Sequence, residues 1–167
     1  MTPQITEIPK KIIVGNRLTM SISANRTREL WQSFMPRRNE IPNRVSSDLF
    51  SLQLYDPQYF NPFNPDTLFE KWAGVEVPDL TGVPVGMETL TIPAGRYAVF
   101  VYKGPASDSP QIFGYIFGTW LPASGYLLDD RPHFEILGNK YKNEGPYSEE
   151  EIWIPVTRQP LPDGQYL

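Results

Sequence analysis

The chain contains no cysteine and a single histidine, His133. The first absence removes disulfides and thiolate metal sites, and the second leaves too few imidazoles for an ordinary zinc centre, so no metal or cofactor is expected. Basic residues are also scarce in any one place. Fifteen Lys and Arg stand against nineteen Asp and Glu, a formal charge of −4, and nothing concentrates them beyond Arg37-Arg38. A phosphate backbone asks for the opposite balance, so direct nucleic-acid binding is not expected. Long apolar runs are missing too. The N-terminus, MTPQITEIPKKIIVGN, carries two lysines ahead of a short apolar run, which makes neither a signal h-region nor a membrane span. With no cysteine to argue for export, the expected compartment is the cytoplasm.

What remains is a chain of 167 residues, 40% hydrophobic and 13% aromatic, enough to close one sizeable core and short for two. One domain over 1–167 is the expectation. Lys11 to Val14 reads as a short strand that Leu18 to Ile22 extends or follows. Asn25 or Thr27 can cap a helix from Arg28 to Met35, where Leu30, Trp31, Phe34 and Met35 recur at helical spacing until Pro36 stops it. Phe50 to Tyr55 alternates strictly and reads as a half-buried strand ended by Asp56-Pro57. The loop PQYFNPFNPDT leads to a strand from Phe69 to Val77.

After a linker from Pro78 to Val85, Glu88 to Pro93 and Arg96 to Lys103 read as strands around a turn or bulge at Gly95. Ser109-Pro110 starts a second helix, in which Ile112, Phe113, Ile116, Phe117, Trp120 and Leu121 supply the apolar spacing and Pro122 the end. Gly114 and Gly118 inside it cost helix stability, which points either to close packing on a sheet or to room in a groove. Phe134 to Leu137 and Glu151 to Val156 follow as strands, joined by the polar hairpin or loop GNKYKNEGPYSEE.

The order strand, helix, strand, strand therefore occurs twice, over about 10–78 and about 86–156, with a tail over 157–167 outside the sheet. Phe34-Met35-Pro36 and Trp120-Leu121-Pro122 close the two helices 86 positions apart. When Val75-Glu76-Val77 is laid on Ile154-Pro155-Val156, Trp72 falls opposite Glu151, and a pseudo-twofold would put both near one cleft.

Ile92-Pro93-Ala94-Gly95-Arg96-Tyr97-Ala98-Val99-Phe100, Lys103-Gly104-Pro105, Trp120-Leu121-Pro122-Ala123-Ser124-Gly125-Tyr126 and Glu151-Ile152-Trp153-Ile154-Pro155-Val156 together resemble the GyrI-like small-molecule-binding domain, the effector-binding fold of many AraC-type and MerR-type regulators. The resemblance covers about 10–156 and departs from the commoner pattern at Glu76, where a proline is usual. It implies an α+β fold: two β-α-β-β repeats forming one antiparallel sheet, both helices on one face, and a ligand groove between them. With no helix-turn-helix ahead of residue 10, it implies a stand-alone form. It also implies that the acidic residue of the last strand is Glu151.

On that strand Glu151, Trp153 and Pro155 share one face and Ile152, Ile154 and Val156 the other. A carboxylate beside a tryptophan suits a lipophilic cation, which sheds water only where opposite charge and aromatic faces replace it. Glu151 and Trp72 are therefore the leading candidates for the groove. Trp153, Tyr97, Trp120, Tyr115, Phe34, Tyr55 and Phe134 are further wall candidates, while His133, in a turn-like segment, reads as a surface residue. The expected function is binding of a lipophilic, cationic aromatic compound for sensing or for drug tolerance by sequestration. Two alternatives stand beside it. Glu151 could activate water to hydrolyse an electrophilic aromatic compound, or an exposed face could engage a protein partner, as the gyrase-inhibiting relative does.

Overall fold

The computed structural model describes residues 1–160, 162 and 164. Its strands are β1 (Gln4–Ile8), β2 (Lys11–Met20), β3 (Leu49–Leu54), β4 (Phe69–Val77), β5 (Glu88–Ile92), β6 (Gly95–Lys103), β7 (Tyr126–Leu128), β8 (His133–Leu137) and β9 (Glu149–Arg158). Helix α1 (Thr27–Phe34) runs on into a 3-10 stretch, Met35–Glu40. Helix α2 (Ser109–Tyr115) continues through a π-helical stretch, Ile116–Trp120, into α3 (Leu121–Ala123). Pro36 ends the α-hydrogen bonding because it has no N–H to donate to the carbonyl one turn back, and the path goes on as a 3-10 stretch. Pro122 occupies the same kind of position at the start of α3.

The sheet is antiparallel in the order β1-β6-β9-β8-β3-β4-β2-β5, with β7 paired to β9. The first half runs β1, β2, α1, β3, β4 and the second β5, β6, α2, β7, β8, β9, and β3 and β8 meet at the centre through the Leu49 to Leu137 and Gln53 to His133 pairs. The edges are crossed over. β1, which leads into β2, pairs with β6 of the other half, and β5, which leads into β6, pairs with β2. β1 falls in a segment, Gln4 to Ile8, for which the sequence predicted no strand. β9 also runs further than expected. Thr157 and Arg158, placed in a tail by the sequence reading, pair with Leu127 and Tyr126, and most of 161–167 lies outside the described residues.

Pleating divides the side chains into two sets. Toward the helices, Leu30 and Phe34 of α1 are fully buried against Val14, Ala73 and Val75, and Ile116 is fully buried against Phe100, Ile152 and Ile154. The helices thus cover two separate apolar patches, one in each half. On the other face Ile8, Ile13, Leu52, Trp72, Ile92, Tyr97 and Phe134 form one buried cluster that no helix covers. β1 and β5 lie seven strand spacings apart, about 33 Å in a flat sheet, yet both contribute to it. The sheet buries this face by curling over it.

Gly15 and Gly74 face each other across β2 and β4. A Cβ on Gly15 would run into the backbone carbonyl of Ala73, and one on Gly74 would lie 2.7 Å from the Ile13 methyl. Gly114 and Gly118 resolve differently from either expectation. Both are exposed, and a Cβ at either would meet nothing within 4 Å, so neither close packing nor the groove requires them. Gly15→Ala is expected to destabilise the fold by about 1–3 kcal/mol, because backbone has to shift to make room, whereas Gly114→Ala should stabilise it slightly. Urea unfolding of the two variants beside the wild type checks both signs.

Candidate ligand-binding groove

Between the two helix-covered patches the central strands are left uncovered, and the space above them is a cavity of about 860 Å³. Its walls are one stripe from each helical segment. Thr27, Trp31 and Met35 repeat every four residues along α1 and its extension, and Ala106, Ser109 and Phe113 face them from the α2 side. Tyr141 and Asn143 of the β8–β9 hairpin close one flank. The floor comes from the helix-facing side of the sheet: Leu49 and Ser51 of β3, Lys71 of β4, Glu135 and Leu137 of β8, and Glu150 of β9.

The floor is charged. The Lys71 ammonium donates to Thr27 Oγ1 at 3.2 Å, and Gln53 Nε2 donates to Glu135 Oε2 at 3.1 Å. Neither Glu135 nor Glu150 has a Lys or Arg within ion-pair distance among the described residues; the strand-end pairs to Lys103 and Lys140 belong instead to Glu149. Desolvation raises the Glu135 carboxyl above its ordinary range, partly offset by Lys71. Burial, and then the charge of Glu135, push Glu150 up to about 7. Burial lowers the Lys71 amine, against the pull of both carboxylates. Three ionisable groups thus share one partly dry floor, and a proton near neutral pH is held there without a fixed partner.

None of the nine residues expected in a ligand groove lines this cavity. Glu151 and Trp153 lie on the opposite face of β9, where the indole N–H donates to Glu151 Oε2 at 2.9 Å and the ring stacks on Phe134. Trp72 is buried on the same opposite face and donates to Glu70 Oε1 at 2.6 Å. Tyr97 and Phe134 belong to that cluster too, Tyr97 donating its hydroxyl to the Pro132 carbonyl. Phe34 is the fully buried base of α1, and Trp120 packs edge-on against Phe100. Tyr115 turns outward and donates to the Met1 carbonyl.

On β9 a pleat of period two sets which residues face the cavity. Ile152, Ile154 and Val156 must meet the second helical segment, so Glu150 shares their face and Glu151 does not. Trp31 and Phe113, which the sequence reading assigned to helix packing, supply the aromatic walls.

A second, smaller cavity of about 310 Å³ opens beyond the groove and shares no lining residue with it. Tyr55 lines this cavity, not the groove, together with Phe60 and His133. His133 was expected at the surface and is 5% exposed, because it points from β8 into an aromatic cluster. Tyr55 meets it edge-on at 4.9 Å, and Phe60 and Phe117 lie against it at 5.9 and 6.0 Å. Burial, then the nearby Arg131, lower its pKa to about 3, so the imidazole is neutral.

An antiparallel sheet carrying two helices on one face, with an apolar and charged groove between them, defines a small-molecule-binding α+β architecture. The GyrI-like small molecule binding domain family matches residues 1–157, and the chain belongs to that family. It is 28% identical to the transcriptional regulator BrlR of Pseudomonas aeruginosa over 160 residues, which is 93% of this chain and 56% of that protein. It is 34% identical over 76 residues to a DNA gyrase inhibitor of Erwinia billingiae, which is 44% of this chain and 46% of that protein. The chain spans about half the length of these curated relatives. Among solved structures, that of SAV2435 bound to tetraphenylphosphonium superposes with a TM-score of 0.70 at 15% identity, covering 94% of each chain. No helix among the described residues is long and apolar enough to cross a membrane.

The raised Glu150 carboxyl gives a stability signature of definite sign. Its folded value of about 7 exceeds the ordinary 4.5, so the folded state holds a proton that the unfolded chain releases between those values. Through this group the wild type loses stability as pH rises from about 4.5 to about 7. Glu150→Gln removes that loss, and its melting temperature relative to wild type should therefore rise from pH 4.5 to pH 8. Thermal unfolding of both proteins across that range tests the direction.

Proposed function

We propose that the groove takes up a lipophilic aromatic cation, in sensing or in drug tolerance by sequestration. The observation that carries this reading is the pair Glu135 and Glu150, two carboxylates without an ion-pair partner facing an 860 Å³ cavity walled by Trp31, Met35 and Phe113. That volume suits a drug-sized ligand. The carboxylates are poorly solvated there, and a delocalised organic cation replaces lost hydration at little cost of its own while the rings supply cation–π contact. Lys71 and the exposed Arg28, which also lines the cavity, oppose a cation, but burial lowers the Lys71 amine and its contact with Thr27 holds the ammonium at the α1 side. The tetraphenylphosphonium in the SAV2435 structure belongs to the same class of compound. A sensing role is in keeping with the likeness to BrlR, a transcriptional regulator.

One observation favours a second reading, hydrolysis of an electrophilic aromatic compound. A carboxyl pushed up to about 7 is matched to accepting a proton from water at neutral pH. Under this reading Glu150, not Glu151, is the base.

Titration with tetraphenylphosphonium and with a neutral tetraphenyl isostere, read through tryptophan fluorescence, separates the candidates. Glu150→Gln and Glu135→Gln are each expected to weaken the cation about tenfold, the equivalent of 1.4 kcal/mol, and to spare the neutral compound. Lys71→Met should strengthen the cation, and Glu151→Gln should leave both unchanged. Unaltered cation affinity in both groove variants would overturn the reading. A ligand recovered chemically changed, by mass spectrometry, in wild type but not in Glu150→Gln would install the hydrolytic one.

A further inference from the structure

We infer that the preferred ligand of the groove is bipolar: an aromatic cation that also carries a carboxylate, held by Lys71 and Arg28 while its cationic centre lies over Glu135 and Glu150. This rests on the groove reading proposed above and adds to it the class of compound. The starting point is what opposes a simple cation. Two acidic and two basic side chains line the cavity, so its formal charge is balanced. Selection of a bare cation asks for a surplus of negative charge, and the groove has none.

The two signs are segregated. Along the order β9-β8-β3-β4, Glu150 and Glu135 stand on the first two strands and Lys71 on the fourth, with the uncharged Ser51 between them on β3. Across the strands Lys71 is two spacings from Glu135 and three from Glu150, roughly 10 and 14 Å between backbones. Arg28 follows Thr27, whose Oγ1 accepts from the Lys71 ammonium, so both cations belong to the α1 side.

That positive pole has donors to spare. An ammonium carries three N–H groups, and the only side-chain acceptor Lys71 reaches among the described residues is Thr27 at 3.2 Å. Neither Lys71 nor Arg28 has an Asp or Glu within ion-pair distance among the described residues. The groove's own carboxylates cannot serve, because register holds Glu135 opposite Ser51 and Lys71 opposite Gln53. A ligand carboxylate is not so constrained, and it accepts charge-assisted bonds from both cations. Lys71 still feels the charge of Glu135 and Glu150, so a single drug-sized molecule spans both poles. Trp31 and Met35 on one wall and Phe113 on the other take the aromatic body between them.

A pair of probes isolates the second pole: (4-carboxybutyl)triphenylphosphonium and its carboxamide share cation, rings and chain, and differ by one negative charge at neutral pH. Isothermal titration calorimetry with the wild type is expected to show the carboxylate bound about threefold to tenfold more tightly. Lys71→Met should move the two compounds in opposite directions, weakening the carboxylate about tenfold and strengthening the carboxamide. Arg28→Gln, a change at an exposed position, should do the same to a smaller extent. Glu150→Gln should weaken both compounds, which assigns them to the groove. Equal or tighter binding of the carboxamide by the wild type, or a Lys71→Met effect of the same sign on both compounds, overturns the bipolar ligand and leaves the groove reading standing. Saturable binding of neither compound overturns the groove reading and this inference with it.

Discussion

Everything about the groove depends on which face of β9 meets the second helical segment. Ile152, Ile154 and Val156 are buried beneath Ile116 and its neighbours, and removing three branched side chains from water is worth several kcal/mol in total, far more than any single polar contact on the strand. With that face committed, the pleat leaves no freedom. Glu150 enters the groove, and Glu151 and Trp153 turn to the far side, where they pair with each other. The same rule on β4 sends Lys71 into the groove and Trp72 into the far core.

The far core has its own requirement. A face with no helix over it can be dry only if the sheet curls, and Gly15 opposite Gly74 permits the close backbone approach this takes. The crossed edge strands complete the closure, since β1 and β5 each tie one half to the other. Both helices are then free to stand apart on the outer face. The polar middle of the sheet, Ser51, Gln53 and Glu135, lies between them instead of beneath them, and the groove is the space that results.

Charge in that space is governed by scarcity of water. Glu135, Glu150 and Lys71 would form unremarkable surface pairs if exposed, yet here no carboxylate reaches the lysine, and burial moves all three toward their neutral forms. Beyond the floor, Phe117, Phe60 and His133 stack into a partition, so that Glu135 and His133, two residues apart on the same strand face, line different cavities.

The sequence by itself determined most of the elements and the class of fold, though not β1 or β7. Apolar spacing of 3.6 marked both helices, alternation marked β3 and most of β9, and the repeated order of elements, with the family-like segments from Ile92 to Val156, implied one α+β sheet and a groove. These are local or nearest-neighbour properties, and they can be read along the chain. The tertiary structure alone decided which of two adjacent residues faces the groove, because a strand has two equivalent faces until something packs on one of them. It also decided the crossed edges, the aromatic partition that buries His133, and the meeting of Lys71, Glu135 and Glu150. Those groups come from three strands up to 79 positions apart, and only the register of the whole sheet brings them to one floor.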